Sequence, residues 1–316
     1  MSDSTSGPTG PTLPSKPRRR GGLYAAIAIV AVAVVVAGAL LIPRLFGSSD
    51  TPAADGERTT VRLGTTDAAQ GHWPVLKEIL AEEGIDLEVV AFDSYETPNP
   101  ALADGSIDLN AFQHIDYLSD HNVATGDGLA VVGPTLIVPL PIYSEQYSDV
   151  ADIPEGGRVA IPQDATNQAR ALKVLQSAGL LTLNDATTPT PADIVTSRVQ
   201  VEPVDASLTA PALQDPSIAA AIVNNNFATD AGIIDKAIFS VDPSDANSWP
   251  YINIIASRDG EEDNPVYQKV WEAYHDPRVT DIVVSESSGT ARIVEEKPAQ
   301  VREWLAQIEK QKEAGA

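Results

Sequence analysis

The chain contains no cysteine. Disulfides, thiolate nucleophiles and cysteine-ligated zinc or iron–sulfur centres are therefore excluded, and so is a lipid anchor attached through a thiol. Positive charge is scarce as well. In 316 residues, 21 Lys and Arg stand against 44 Asp and Glu, a net charge of −23. The imbalance deepens past residue 56, because Lys16, Arg18, Arg19, Arg20 and Arg44 precede it with only Asp3, Asp50 and Asp55 to offset them. A polyanion of this kind repels phosphate backbones, which argues against nucleic acid as a partner; a solvated, monomeric surface is the plain reading of the acidity.

Histidine is rare, with His72, His114, His121 and His275 making up the whole complement. No Gly-x-Ser-x-Gly elbow, His-Glu-x-x-His helix or Gly-rich phosphate loop occurs. The carboxylates are spread along the chain, mostly at helix starts and turns where caps and solvated faces use them. The pattern points away from an enzyme, and no cofactor motif is present.

What is there begins with an address. Residues 1–17 are dominated by Ser, Thr, Pro and Gly, too polar to bury a core. Arg18-Arg19-Arg20 then precede the uncharged run Leu23–Ile42. As a helix that run is about 30 Å long, the thickness of a bilayer's hydrocarbon core. The expectation is a disordered cytoplasmic tail over 1–22, a single-pass anchor in the cell membrane over 23–42 and a flexible linker over 43–58. Basic residues on its N-terminal side place everything after the anchor outside the cytoplasm. Ala37-Gly38-Ala39 could instead serve as a signal-peptide cleavage site, but the apolar run continues past it to Ile42, favouring an uncleaved anchor.

Beyond the linker the pattern is α/β. Val61–Thr66 and Ile85–Phe92 read as strands flanking a helix, His72–Glu83, whose apolar face carries Val75, Leu76, Ile79 and Leu80 and which Gly84 ends. Strands Ile107–Phe112 and Leu129–Val132 follow, with a helix starting near Ile115. A second unit carries strands Arg158–Ile161, Val199–Val204 and Ile218–Val223 and the helix Ala165–Ala178. The chain returns to strand near Tyr251–Ser257, then forms a helix over Asn264–Tyr274. This cadence predicts largely parallel sheets with helices on their faces. Two proline-punctuated stretches, Gly133–Tyr143 and the segment around Trp249–Ile255, read as crossings between two lobes. Lobe 1 then comprises 59–140 with 250–316, and lobe 2 comprises 141–249. Pro298–Ala314 reads as an amphipathic helix, with Val301, Trp304, Leu305 and Ile308 on one stripe packing on the first lobe.

The chemistry concentrates at Asn167 and Arg170, between a strand and the first turns of a helix. A helix N-terminus offers free amides and partial positive charge, and a guanidinium matches a carboxylate in two-pronged fashion. Tyr95 and Phe112, each near the end of a first-lobe strand, would supply an apolar wall where ligands of open α/β sheets sit. The rival is a metal-ion-binding transport protein using His72, His114 and His121. His114 and His121 stand seven apart, two turns along one helical face. A ligand-sensing scaffold or signalling module is a further alternative.

Several segments resemble the methionine-binding lipoprotein family of ABC importers, the NlpA-like substrate-binding proteins. They are Asp67-Ala-Ala-Gln-Gly-His72, Phe92-Asp-Ser-Tyr-Glu-Thr-Pro-Asn99, Ala101-Leu-Ala-Asp-Gly-Ser-Ile-Asp108, Asn110-Ala-Phe-Gln-His114 and Asn167–Arg170, extended by Ala220-Ala-Ile-Val-Asn-Asn-Asn226 and Pro250-Tyr-Ile-Asn-Ile-Ile255. The resemblance implies a two-lobed, type II periplasmic-binding-protein-like fold closing over methionine or a methionine dipeptide. The ligand would pass to a membrane permease with a cytoplasmic ATPase. By position, Arg170 and Asn167 would grip the ligand carboxylate. Tyr95, Phe112 and His114 would line the side-chain pocket, and Asn224, with Asn226 and Asn253, would hydrogen-bond the amino-acid backbone. Three features depart from the family pattern. The anchoring cysteine is missing, so Leu23–Ile42 would substitute for the lipid; the segment after about Pro277 resembles the family less and carries the long extra helix; and Gln168-Ala169 replace a smaller, Gly-containing pair before the arginine.

Overall fold

The structure, a computed structural model of the chain, describes residues 58–243 and 248–315. The expected anchor Leu23–Ile42 lies outside them; among the described residues no helix is long and apolar enough to cross a membrane.

In chain order the elements are β1 (Thr59–Thr65), α1 (His72–Glu82), β2 (Ile85–Ala91), α2 (Pro98–Ala103), β3 (Leu109–His114), α3 (Ile115–Thr125), β4 (Ala130–Pro134), β5 (Leu136–Ile137) and β6 (Ile142–Tyr143). There follow β7 (Gly157–Pro162), α4 (Ala165–Ser177), β8 (Leu181–Leu183), β9 (Ile194–Ser197), β10 (Val199–Val204), α5 (Ala206–Ala212), β11 (Ile218–Ile222), α6 (Asn225–Asp230) and β12 (Ala237–Phe239). The chain closes with β13 (Asn253–Ser257), α7 (Pro265–Tyr274), α8 (Pro277–Glu286), β14 (Arg292–Ile293) and α9 (Pro298–Gly315).

Two five-stranded sheets organise these elements, in the orders β2-β1-β3-β13-β4 and β10-β7-β11-β6-β12. Helices cover both faces of each. On the first sheet, α1, α7 and α8 bury Trp73, Leu76, Leu80, Val270 and Val279 on one side. On the other side, α2, α3 and α9 bury Leu102, Ile115, Leu118, Val301, Leu305 and Ile308. The second sheet carries α4 on one face through Ala171, Leu172 and Leu175, and α5 and α6 on the other through Ala210 and Ala228. Burial on both faces explains the unbroken apolar run of β11, in which every residue is buried.

The chain passes between the sheets twice, from β5 to β6 and from β12 to β13. The expectation of largely parallel sheets holds, with one strand in each as the exception: β13 is antiparallel to both of its neighbours, β3 and β4, and β6 to both of its neighbours, β11 and β12. A strand that re-enters a sheet from the side where the parallel strands end must run against them. Hydrophobic periodicity gives a strand's faces but not its direction, so the sequence could not show this.

The stripe expected on the last helix is buried as Val301, Leu305 and Ile308, against Leu118, Leu129 and Val131 of the first sheet's layer. Trp304 is half-buried, its ring 5.5 Å from that of Trp249 in the returning crossing. Lys312 is bound by Asp116 (2.8 Å) and Asp120 (2.7 Å) of α3. Gly133 shows how tightly this sheet is covered: a Cβ there would lie 2.4 Å from the Trp271 indole of α7.

Candidate ligand-binding cleft

A cavity of about 100 Å³ opens between the two sheets, and the eight residues expected at the site, Tyr95, Phe112, His114, Asn167, Arg170, Asn224, Asn226 and Asn253, all line it. About 10–15 Å³ of such space holds one water, so there is room for a small solute. The position follows from topology. The carboxyl ends of β1, β3 and β11 lead directly to Thr66, His114 and Asn224, and β7 leads to Asn167 in the first turn of α4, so the ends of parallel strands from both sheets converge there.

Helix capping sets the side chains. His114 ends β3 and caps α3, its Nδ1 accepting the Tyr117 backbone N–H at 3.1 Å. An accepting Nδ1 puts the proton on Nε2, which donates to Asn167 Oδ1 at 3.4 Å. Burial first, and then the Arg170 charge, lower the His114 pKa to about 4, so the ring is neutral at physiological pH. Asp164 caps α4 by accepting the Asn167 backbone N–H (2.9 Å) and, through both carboxylate oxygens, the Asn167 side-chain amide. This turns Asn167 Oδ1 towards the cleft, where it also accepts from Asn224 Nδ2 at 3.0 Å. Behind the wall, Asn99, Asn110 and Gln113 form a buried amide triangle that fixes α2 to β3 beside Phe112.

Arg170 is 8% exposed. Its guanidinium donates to the Val138 carbonyl at 2.6 Å and lies 4.3 Å from the centre of the Tyr251 ring. Among the described residues no carboxylate is within ion-pair distance of it. Burial lowers its pKa to about 10, which leaves it charged at neutral pH. A buried cation held only by a carbonyl and a ring face is incompletely compensated.

Tyr95, Phe112, Tyr117 and Phe227 form an aromatic wall, with ring centres 5.2–6.1 Å apart in the four closest pairs. The wall joins the two sheets. Tyr95 Oη donates to Asn226 Oδ1 at 2.5 Å, and Asn226 Nδ2 donates to Thr66 Oγ1 at 3.3 Å. Together with His114–Asn167, these bonds bridge the cleft, so the structure is in a closed arrangement. Asn253 on β13 lines the floor and donates to the Tyr251 carbonyl at 3.4 Å.

The metal alternative is corrected. Among the described residues no group of three or more His, Asp or Glu side chains could hold a metal ion. The seven-residue spacing misled because His114 is a cap facing Asn167, whereas His121 is bonded to Asp127 at 2.8 Å outside the cavity. His72 is buried at the start of α1 between the Trp73 and Tyr274 rings. Tyr117, Tyr251, Phe227 and Asp67 line or flank the site without having been singled out. Tyr117 had a legible signal, since a cap at His114 places the third helical residue beside it; Tyr251 lies two residues before Asn253.

The depressed His114 pKa has a measurable consequence. Its folded value near 4 lies below the unfolded 6.5, so the unfolded chain binds the proton more readily between those values. This contribution is fully present above pH 6.5 and is lost as pH falls towards 4, by on the order of 3 kcal/mol. Urea unfolding of the chain and of His114→Gln across that window should show a shallower pH slope in the variant.

Two α/β layers joined by two crossings, closing over a cavity with a buried guanidinium, amides and an aromatic wall, define a solute-binding protein. Comparison with known proteins narrows the class. The chain belongs to the NlpA lipoprotein family, whose profile matches residues 61–294. It is 33% identical over 258 residues to the D-methionine-binding lipoprotein MetQ of Yersinia pestis, an alignment spanning 75% of this chain and 93% of that protein. The substrate-binding protein of a methionine transporter from Streptococcus pneumoniae superposes with a TM-score of 0.69 at 36% identity, covering 76% of this chain and 97% of the other. A nutrient-binding protein from Burkholderia cenocepacia, solved bound to methionine, gives 0.69 at 30% identity, covering 74% and 99%.

Proposed function

We propose that the chain is the membrane-tethered, extracytoplasmic solute-binding protein of an ABC importer. It captures methionine, a related amino acid or a methionine dipeptide and delivers it to a permease driven by a cytoplasmic ATPase. The observation that carries this is Arg170: a buried guanidinium with no counter-ion among the described residues, lining a cavity with an aromatic wall. The names of the relatives, MetQ of Yersinia pestis and the Streptococcus pneumoniae methionine-transporter protein, support the ligand class.

Arg170 and Asn167 bind the carboxylate, with Tyr251 behind the guanidinium. Tyr95, Phe112, His114 and Tyr117 enclose the side chain, and Asn224, Asn226 and Asn253 hold the ligand's polar backbone. Lobe 1 (59–140 with 250–316) and lobe 2 (141–249) form a type II arrangement that opens and closes at the two crossings. Ligand drives closure only by binding the closed state more tightly. In a chain without cysteine, Leu23–Ile42 serves as the single-pass anchor, with the N-terminus cytoplasmic.

A thermal-shift screen of the full chain against amino acids, short peptides and divalent ions tests the reading. Methionine or a methionine peptide should raise the melting temperature, since a ligand at 100 times its Kd adds about 2.7 kcal/mol. A shift produced by a divalent ion and by no amino acid or peptide would refute it. Phe112→Ala should weaken methionine binding by about 1–3 kcal/mol and alanine binding by much less. Equal losses by calorimetry for the two ligands would count against a side-chain pocket at that wall.

A further inference from the structure

The cleft contains a second charged group, half-buried, with no opposite charge beside it among the described residues. Asp67 follows β1 and lines the same cavity as Arg170. Its Oδ1 accepts from the Thr65 hydroxyl and, at 2.9 Å, from Trp73 Nε1–H. Oδ2 accepts from no donor among the described residues, and no Lys, Arg or His is within ion-pair distance. Burial pushes this carboxyl up, as expected where the counter-charge is not supplied by the protein.

The neighbourhood is short of donors. His72 also lines this cavity, is 2% exposed, and has neither ring nitrogen hydrogen-bonded. Glu286 Oε2, buried and likewise unbonded, is 3.7 Å from its Nδ1. Burial lowers the His72 pKa to about 4, so the imidazole is neutral and is not the cation Asp67 lacks. The cavity thus presents an acceptor, Asp67 Oδ2, without a donor among the described residues, as well as the Arg170 guanidinium. Charged groups of opposite sign that share a cavity without pairing to each other suit a ligand carrying both.

We propose that Asp67 is the ammonium pole of the cleft: the ligand's carboxylate lies on Arg170, its protonated amine lies on Asp67 Oδ2, and His72 bounds that subsite. This deepens the solute-binding reading and rests on it. The pole makes the cleft selective for zwitterions, rejecting carboxylic acids of the same shape that lack an amine. The amine is either the α-amine of a single amino acid or the terminal amine of a dipeptide.

Two near-isosteric ligand pairs test this: methionine with its 2-hydroxy analogue, and glycyl-methionine with N-acetylmethionine. Each second member lacks only the amine. Calorimetric titration of the full chain should show one amine-bearing ligand preferred over its partner by about 100-fold, the scale of a charged hydrogen bond left unmade. Asp67→Asn should lose most of that preference while binding the amine-free partner as before. Dependence on Asp67 within the methionine pair assigns the α-amine; dependence within the glycyl-methionine pair alone assigns the peptide's terminal amine. Equal affinities within both pairs on the unsubstituted chain overturn the proposal with no variant needed. A preference that survives in Asp67→Asn overturns it too, while leaving Arg170 as the carboxylate site. Failure of all four ligands to bind the unsubstituted chain overturns this proposal and the solute-binding reading together.

Discussion

Arg170→Ala should abolish ligand binding, with an affinity loss of more than about 100-fold. Truncating one partner of a buried, hydrogen-bonded charge pair costs about 3–5 kcal/mol, because the other charge is left buried alone. In the ligand-free protein the expected sign is reversed. There the guanidinium is 8% exposed, with a single carbonyl acceptor and the Tyr251 ring as its only described partners. Arg170→Met, which keeps most of the apolar stem and removes the uncompensated charge, should leave the ligand-free melting temperature unchanged or raise it. A residue retained for folding would behave in the opposite way. Calorimetric titration and thermal melting of the same two variants separate the cases. Tight binding by Arg170→Ala, or a large drop in the ligand-free melting temperature of Arg170→Met, would refute the assignment.

Deleting residues 297–316 should be the most destabilising change away from the cleft. The deletion removes Val301, Leu305 and Ile308, which are 0%, 6% and 7% exposed. Full burial of such a side chain contributes about 1.5–3 kcal/mol, so the loss is on the order of 5 kcal/mol against a typical total of 5–15. For a domain of this size that corresponds to a fall of roughly 10–20 °C in melting temperature. It also uncovers Trp249 and removes Lys312 from between Asp116 and Asp120. Leu305→Ala alone should account for about 2–5 kcal/mol of the effect. The helix lies just beyond the segment matched to the family, which ends at residue 294. An unchanged urea midpoint in the deletion would show that α9 is an appendage and not part of the core.

The legible parts of this chain are those in which one short stretch contains both the signal and its cause. The apolar stripe of α1 and its stop at Gly84 (φ +76°) are local, and so is the strand Val199–Val204, which matches its expected bounds. Asn167 and Arg170 stood out because an arginine at a strand-to-helix junction in an acidic chain is a local feature. Short elements were harder to see: α2 and α6 span six residues each, too few for a helical period to register. The antiparallel return of β13 was invisible because it depends on where the chain comes from. Asp67 and Val138 reach the cavity from two separated segments and Tyr251 packs on Arg170 from a third, and only folding brings them together. His114 and His121 show the converse failure. Their spacing was genuine, but a cap and a surface histidine do not share a face when the helix begins between them.

Titration of the full chain with methionine, beside alanine and beside Arg170→Ala, tests the central claim most directly. One methionine should bind per chain, alanine should bind far more weakly, and the methionine heat should vanish in Arg170→Ala. No binding of methionine or its dipeptides to the unsubstituted chain, or binding that is indifferent to Arg170, would contradict it.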